Sequence, residues 1–135
     1  MESVEIKVTT GGRPTVVDLT GELSAFVSDK GDGLLSVFVP HATAGVAILE
    51  LGAGSDHDLL ASIDDLLPAV QGKWRHAHGS PGHGRDHVLP AWIAPSMTVP
   101  VVAGRMTLGT WQSVALVDTN GDNPDRRVRM SFLAG

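Results

Sequence analysis

Apolar and polar residues alternate at the start of the chain. Val4, Ile6 and Val8 fall between Glu5, Lys7 and Thr9, the period of a half-buried strand. Gly11-Gly12-Arg13-Pro14 supplies turn chemistry before a second apolar run, Thr15 to Leu19, so the two runs predict a hairpin. Leu23, Phe26 and Val27 then take helical spacing in a segment that closes at Lys30-Gly31, predicting a short first helix. Leu34 to Val39 and Gly45 to Leu51 are apolar and β-branched enough for buried strands. Ser55 and Asp58 have the spacing of a capping box, and Leu59, Leu60, Ile63, Leu66 and Leu67 continue one apolar face, predicting a second helix that ends near Pro68.

The second half reads as a short helix over Val88 to Ala94, with Pro90 in its first turn, followed by strands. These strands cover Ser96 to Val102, Met106 to Leu108, Trp111 to Asp118 and Arg127 to Leu133, with Val128, Met130 and Phe132 facing inward on the last. The order predicts one α+β domain over 1–135, with a large mixed or antiparallel sheet and two to three helices. No linker, repeat or low-complexity segment calls for a second domain.

Composition narrows the chemistry. With 135 residues the chain can bury a core without a disulfide or metal staple, and the absence of cysteine excludes thiolate nucleophiles and cysteine zinc sites. A net charge of -5 argues against tracking a phosphate backbone, so no nucleic-acid partner is expected. No apolar run approaches the roughly 18 residues of a membrane span, and the N-terminus lacks a secretory pattern. The expectation is a cytoplasmic protein with no membrane partner.

Four of the six histidines lie between Trp74 and His87: His76, His78, His83 and His87. The H-x-H spacing puts two rings on one face of a strand, and H-x-x-x-H does so on a helix. Gly79, Pro81, Gly82 and Gly84 make the segment a loop, so two readings stay open: a solvated loop, or imidazoles around zinc or another first-row metal. His41 lies just beyond a strand end, and Glu50 closes an otherwise apolar strand, where it is either exposed or paired near imidazoles. Trp111 reads as core or interface filling, which by alternation puts Gln112 on the opposite face. Arg105 follows a glycine and suits either a carboxylate or phosphate, or a solvated turn. Phosphate-loop, nucleophile-elbow, H-E-x-x-H and Rossmann signatures are all missing from the sequence.

Several segments together resemble the YjbQ-like family, whose members have been called secondary thiamine-phosphate synthase enzymes. They are His41-Ala42-Thr43-Ala44, Glu50, Asp56, Trp74-Arg75-His76, Asp86-His87-Val88, Ser96 to Val101 and Gly104 to Gln112. The resemblance runs from about His41 to Arg127 and is most specific at Leu108-Gly109-Thr110-Trp111-Gln112. It implies a homotrimer with sites near subunit boundaries, and His41, His76 and His87 as the metal set, with zinc the expected divalent ion. Glu50, His41 and Gln112 are then the candidate catalytic side chains, and Thr43, Arg105 and Arg127 the substrate-binding ones.

The chain departs from the family pattern in places. Ala42 replaces a threonine, Leu49 replaces an asparagine, Pro81-Gly82-His83 replaces Asp-Gly-Asn, and the turn from Gly121 to Arg126 is altered. His78 and His83 are additions, and His83 could serve as a replacement ligand. The activity implied by the resemblance is thiamine-phosphate formation on a phosphorylated substrate. The alternatives are metal-assisted hydrolysis or lysis of a small anionic metabolite, and a trimeric ligand-binding module without turnover.

Overall fold

The computed structural model describes residues 1–135, with strands divided between two sheets. One has five strands in the order β1 (Glu2–Thr9), β8 (Asp125–Ala134), β3 (Gly33–Phe38), β5 (Ser96–Val102) and β6 (Arg105–Met106). The other has three, β2 (Thr15–Asp18), β7 (Ser113–Asp118) and β4 (Ala44–Leu49). Every pairing is antiparallel, which decides between the two sheet types the sequence left open.

The helices are α1 (Thr20–Val27), α2 (Ser55–Leu66) and α3 (Leu89–Trp92). Leu23 and Val27 of α1 join Leu35, Val37, Val46, Leu116, Val128, Met130 and Phe132 in a core between the two sheets. A smaller cluster of Ile63, Leu67, Leu89 and Val117 seats α2 and α3 on the other face of β7. Because β7 is covered on both faces, its sequence is continuously apolar rather than alternating. No helix is long and apolar enough to cross a membrane.

The predicted hairpin does not form. β1 and β2 part into different sheets, with β1 registered against β8 from Glu2↔Phe132 to Thr9↔Asp125 and β2 against β7. The ten-residue β8 offers β1 a partner along its whole length, whereas β2 has four residues. The capping box is also absent: α2 starts after Gly54, whose φ is 99°, and no side chain caps it. Trp111 is not in the core but 72% exposed, since β7 begins only at Ser113 and the alternation inferred across Trp111 and Gln112 does not hold in a turn.

Candidate metal centre

The loop from Trp74 to His87 is pinned at both ends. Trp74 Nε1 donates to the Pro68 carbonyl at 3.0 Å, and His83–His87 coil into a 3₁₀ turn after Gly82. Gly84 lies where this turn passes under the incoming segment, and a Cβ there would meet the His76 carbonyl and Trp74 Cβ at 2.4 Å each. Only glycine lets the turn approach so closely, and that approach puts His76 beside it.

His76, His83 and His87 consequently bring one ring nitrogen each within 4.8 Å of one another. His83 Nε2 and His87 Nε2 are 2.8 Å apart, and the His76 and His87 ring centroids are separated by 3.8 Å. Nitrogens sharing a tetrahedral ion at about 2.0–2.1 Å stand roughly 3.3 Å from each other, so the cluster is near that scale. His76 Nε2 is buried with no hydrogen-bond partner. A buried acceptor left without a partner costs about 1–3 kcal/mol, so an orphan aimed at two imidazoles fits a cation ligand.

Carboxylates stand behind the cluster. His83 Nδ1 lies 3.3 Å from Asp122 Oδ2 and 3.5 Å from Asp86 Oδ2, without meeting hydrogen-bond geometry with either. Asp122 is held by the Ser80 N–H and hydroxyl, which push its pKa down, and Asp86 accepts from the Thr119 hydroxyl at 2.6 Å. Burial pushes the pKa of both His76 and His87 down, and the neighbouring imidazoles push it further. The lowered values favour the neutral imidazole that a metal ligand requires, and the proton shared between His83 Nε2 and His87 Nε2 is the one an ion would displace. His78 is exposed, with its ring centroid 4.0 Å from that of His76.

The other sequence-selected residues are distributed elsewhere. Within the chain His41 is outside the imidazole group: its Nε2 accepts the Arg127 N–H at 2.8 Å, and burial followed by the Arg126 charge lowers its pKa. Thr43 is buried with its hydroxyl taken by Arg126 Nη2 and Asn120 Nδ2, so it positions Arg126. Glu50 is exposed just past the end of β4. Arg105 and Gln112 line a separate hollow of about 480 Å³ against α1, and Gln112 Oε1 caps the Gly109 N–H at 2.7 Å. Arg127 is exposed and 3.5 Å from Glu5.

Sequence reasoning missed the buried pair Arg126 and Asp118, bonded to each other and 2% and 1% exposed. The available signal was register: Arg126 shares the inward face of β8 with Val128, Met130 and Phe132, and an inward arginine demands a buried carboxylate.

A family profile described as "UPF0047 protein YjbQ-like" matches residues 4–135. A UPF0047 protein of Mycobacterium tuberculosis strain H37Rv is 60% identical over 123 residues, covering 91% of this chain and 92% of the relative. YugU of Bacillus subtilis strain 168, also a UPF0047 protein, is 31% identical over 125 residues and 90% of both chains. Among solved structures, a hypothetical protein from Aeropyrum pernix K1 is 35% identical with a TM-score of 0.87, covering 100% of both chains. A YbjQ-like protein of unknown function from Sulfolobus solfataricus P2 has a TM-score of 0.90 over 99% of this chain and 97% of its own; at 24% identity that likeness speaks for the fold.

Proposed function

Because the chain belongs to the YjbQ-like UPF0047 family, we propose that it is an enzyme of small anionic metabolites built around a divalent metal held by His76, His83 and His87. The observation carrying this reading is that His76, whose Nε2 is buried and unpartnered, brings a ring nitrogen within 4.8 Å of two further imidazoles. Three imidazole nitrogens and no sulfur suit zinc or another borderline first-row ion. Such an ion supplies Lewis acidity toward a phosphoryl or carboxyl oxygen.

The chain's own residues do the positioning. Asp122 and Asp86 set carboxylates 3.3 Å and 3.5 Å from His83 Nδ1, while Nε2 of the same ring faces His87. Ser80 and Thr119 hold those carboxylates in place. His78 is exposed beside His76 and adds a fourth imidazole at the rim of the cluster.

The reaction class best supported is hydrolysis or lysis of a phosphorylated or carboxylated metabolite. Thiamine-phosphate formation, in which a thiazole phosphate nitrogen displaces pyrophosphate from a pyrimidine diphosphate, needs concentrated positive charge for the departing group. Lys7, Arg126 and Arg127 are instead matched with Asp125, Asp118 and Glu5, so we place that reaction as a side activity. The proposal includes a homotrimer, for which the exposed Trp92 and Trp111 supply apolar surface.

The test is a screen of phosphate monoesters and small carboxylate esters, with the thiazole and pyrimidine pair as a separate arm. It uses metal-loaded, chelator-treated and His83→Ala protein. The reading expects turnover in the loaded protein alone; turnover that survives both chelation and His83→Ala overturns it.

A further inference from the structure

A second hollow, of about 500 Å³, opens between β1 and the start of β8, where His41, Asn123, Arg126, Arg127 and Lys7 meet. Glu5 and Asp125 also line it, each beside one of the exposed cations, while the groups deeper in offer donors. His41 Nε2 already accepts the Arg127 N–H, which fixes the ring proton on Nδ1. Asn123 Oδ1 accepts the Asp125 N–H at 3.1 Å, leaving the amide NH₂ without a partner. Arg126 spends Nε and Nη2 on Asp118 and Thr43, and Nη1 bonds to nothing in the chain. The side chain is only 2% exposed, yet Arg126 is one of the residues lining the hollow. In each of these groups the backbone or a buried side chain occupies one end and a donor remains.

The rim adds two cations, each in a loose and exposed pair with a carboxylate. Lys7 is 3.5 Å from Asp125 and Arg127 Nη1 is 3.5 Å from Glu5, with the two cationic side chains 68% and 69% exposed. Pairs this long and this wet are worth little, so an incoming anion can replace the carboxylate partner. We propose that the hollow is an oxyanion-binding site, in which Arg126 Nη1, the Asn123 amide, the His41 Nδ1–H and Lys7 hold the phosphate or carboxylate group of a small metabolite. The acidic rim partners favour one anionic group over a diphosphate.

The β7–β8 loop ties this hollow to the metal centre: Asn123 lines the hollow, while the adjacent Asp122 faces His83. The inference thus deepens the reading of an anionic substrate and rests on it for its biological meaning. Its test reads binding to metal-stripped protein, so it stands or fails apart from the metal centre.

Arg126→Ala would leave Asp118 buried and unpaired and is the wrong probe. Lys7→Glu and Asn123→Asp instead put negative charge at the rim and floor while sparing the Arg126–Asp118 pair. The experiment titrates metal-stripped, ¹⁵N-labelled protein with inorganic phosphate, and separately with acetate, at constant ionic strength. Saturable shifts are expected at the Arg127 backbone N–H, and at the Asn123 side-chain amide where that residue is kept; the affinity read at Arg127 falls about tenfold or more in each variant, a loss of roughly 1.4 kcal/mol. Saturation by phosphate alone assigns the site to phosphate esters, and saturation by acetate assigns it to carboxylates. No saturable shift with either anion, shifts indifferent to both variants, or shifts confined to the histidine loop would each overturn the proposal.

Discussion

Gly84→Ala tests the packing that assembles the imidazoles without touching any of them. The added methyl would lie 2.4 Å from both the His76 carbonyl and Trp74 Cβ, against an ordinary contact of 3.4 Å or more. One of the two segments must therefore retreat by about 1 Å. Overpacking of this kind costs about 1–3 kcal/mol, while the alanine reduces unfolded-chain entropy by about 0.4–1 kcal/mol. The net expectation is a destabilisation of roughly 1–2 kcal/mol, read from urea unfolding of the metal-free protein. A binding constellation tolerates misplacement of about 0.5 Å, so the displacement also weakens zinc or cobalt binding by about tenfold or more. Gly21→Ala is the control, since a Cβ there meets nothing within 4 Å and the site lies in α1. Wild-type stability together with wild-type metal affinity in Gly84→Ala would refute the packing argument.

Other expectations follow from the same structure. Asp122→Asn removes a carboxylate from behind His83 and should lower metal affinity by about 10–100-fold; competition against a chromophoric chelator measures it, and unchanged affinity counts against the orienting role. Arg126→Ala leaves the Asp118 carboxylate buried and alone, a loss of about 3–5 kcal/mol, detected as a lower urea midpoint. His41, His76 and His87 all have pKa values pushed below the ordinary 6.5. The unfolded chain therefore takes up protons first on acidification. The stability these groups contribute is fully present above about pH 6.5 and is lost as pH falls through the lowered folded values. The metal-free protein should unfold at lower urea near pH 5 than near pH 7.5, and equal midpoints would contradict the shifts.

Much of the fold was legible because periodicity is a local property. The inward face of β8 and the apolar face of α2 could both be read from spacing. The partner of β1 could not, since the turn at Gly11 to Pro14 is compatible with a hairpin and the competing register lies at the other end of the chain. In the site, the H-x-x-x-H spacing of His83 and His87 was visible, but the 3₁₀ turn that makes their nitrogens meet depends on Gly84 passing under Trp74 and His76. The family pattern pointed to His41 with His76 and His87; within the chain, the third imidazole beside the latter two is His83, the residue this chain adds. Arg126 was missed because the strand was read from Arg127, so the alternation set by Val128, Met130 and Phe132 was not carried back to it, whereas β8 starts at Asp125.

The central claim is that His76, His83 and His87 form one metal centre. It is tested most directly by elemental analysis of tag-free protein alongside His83→Ala and His41→Ala. The account predicts close to one zinc or similar ion per chain, lost in His83→Ala and kept in His41→Ala. A protein without metal after reconstitution, or one that keeps its ion in His83→Ala, would contradict it.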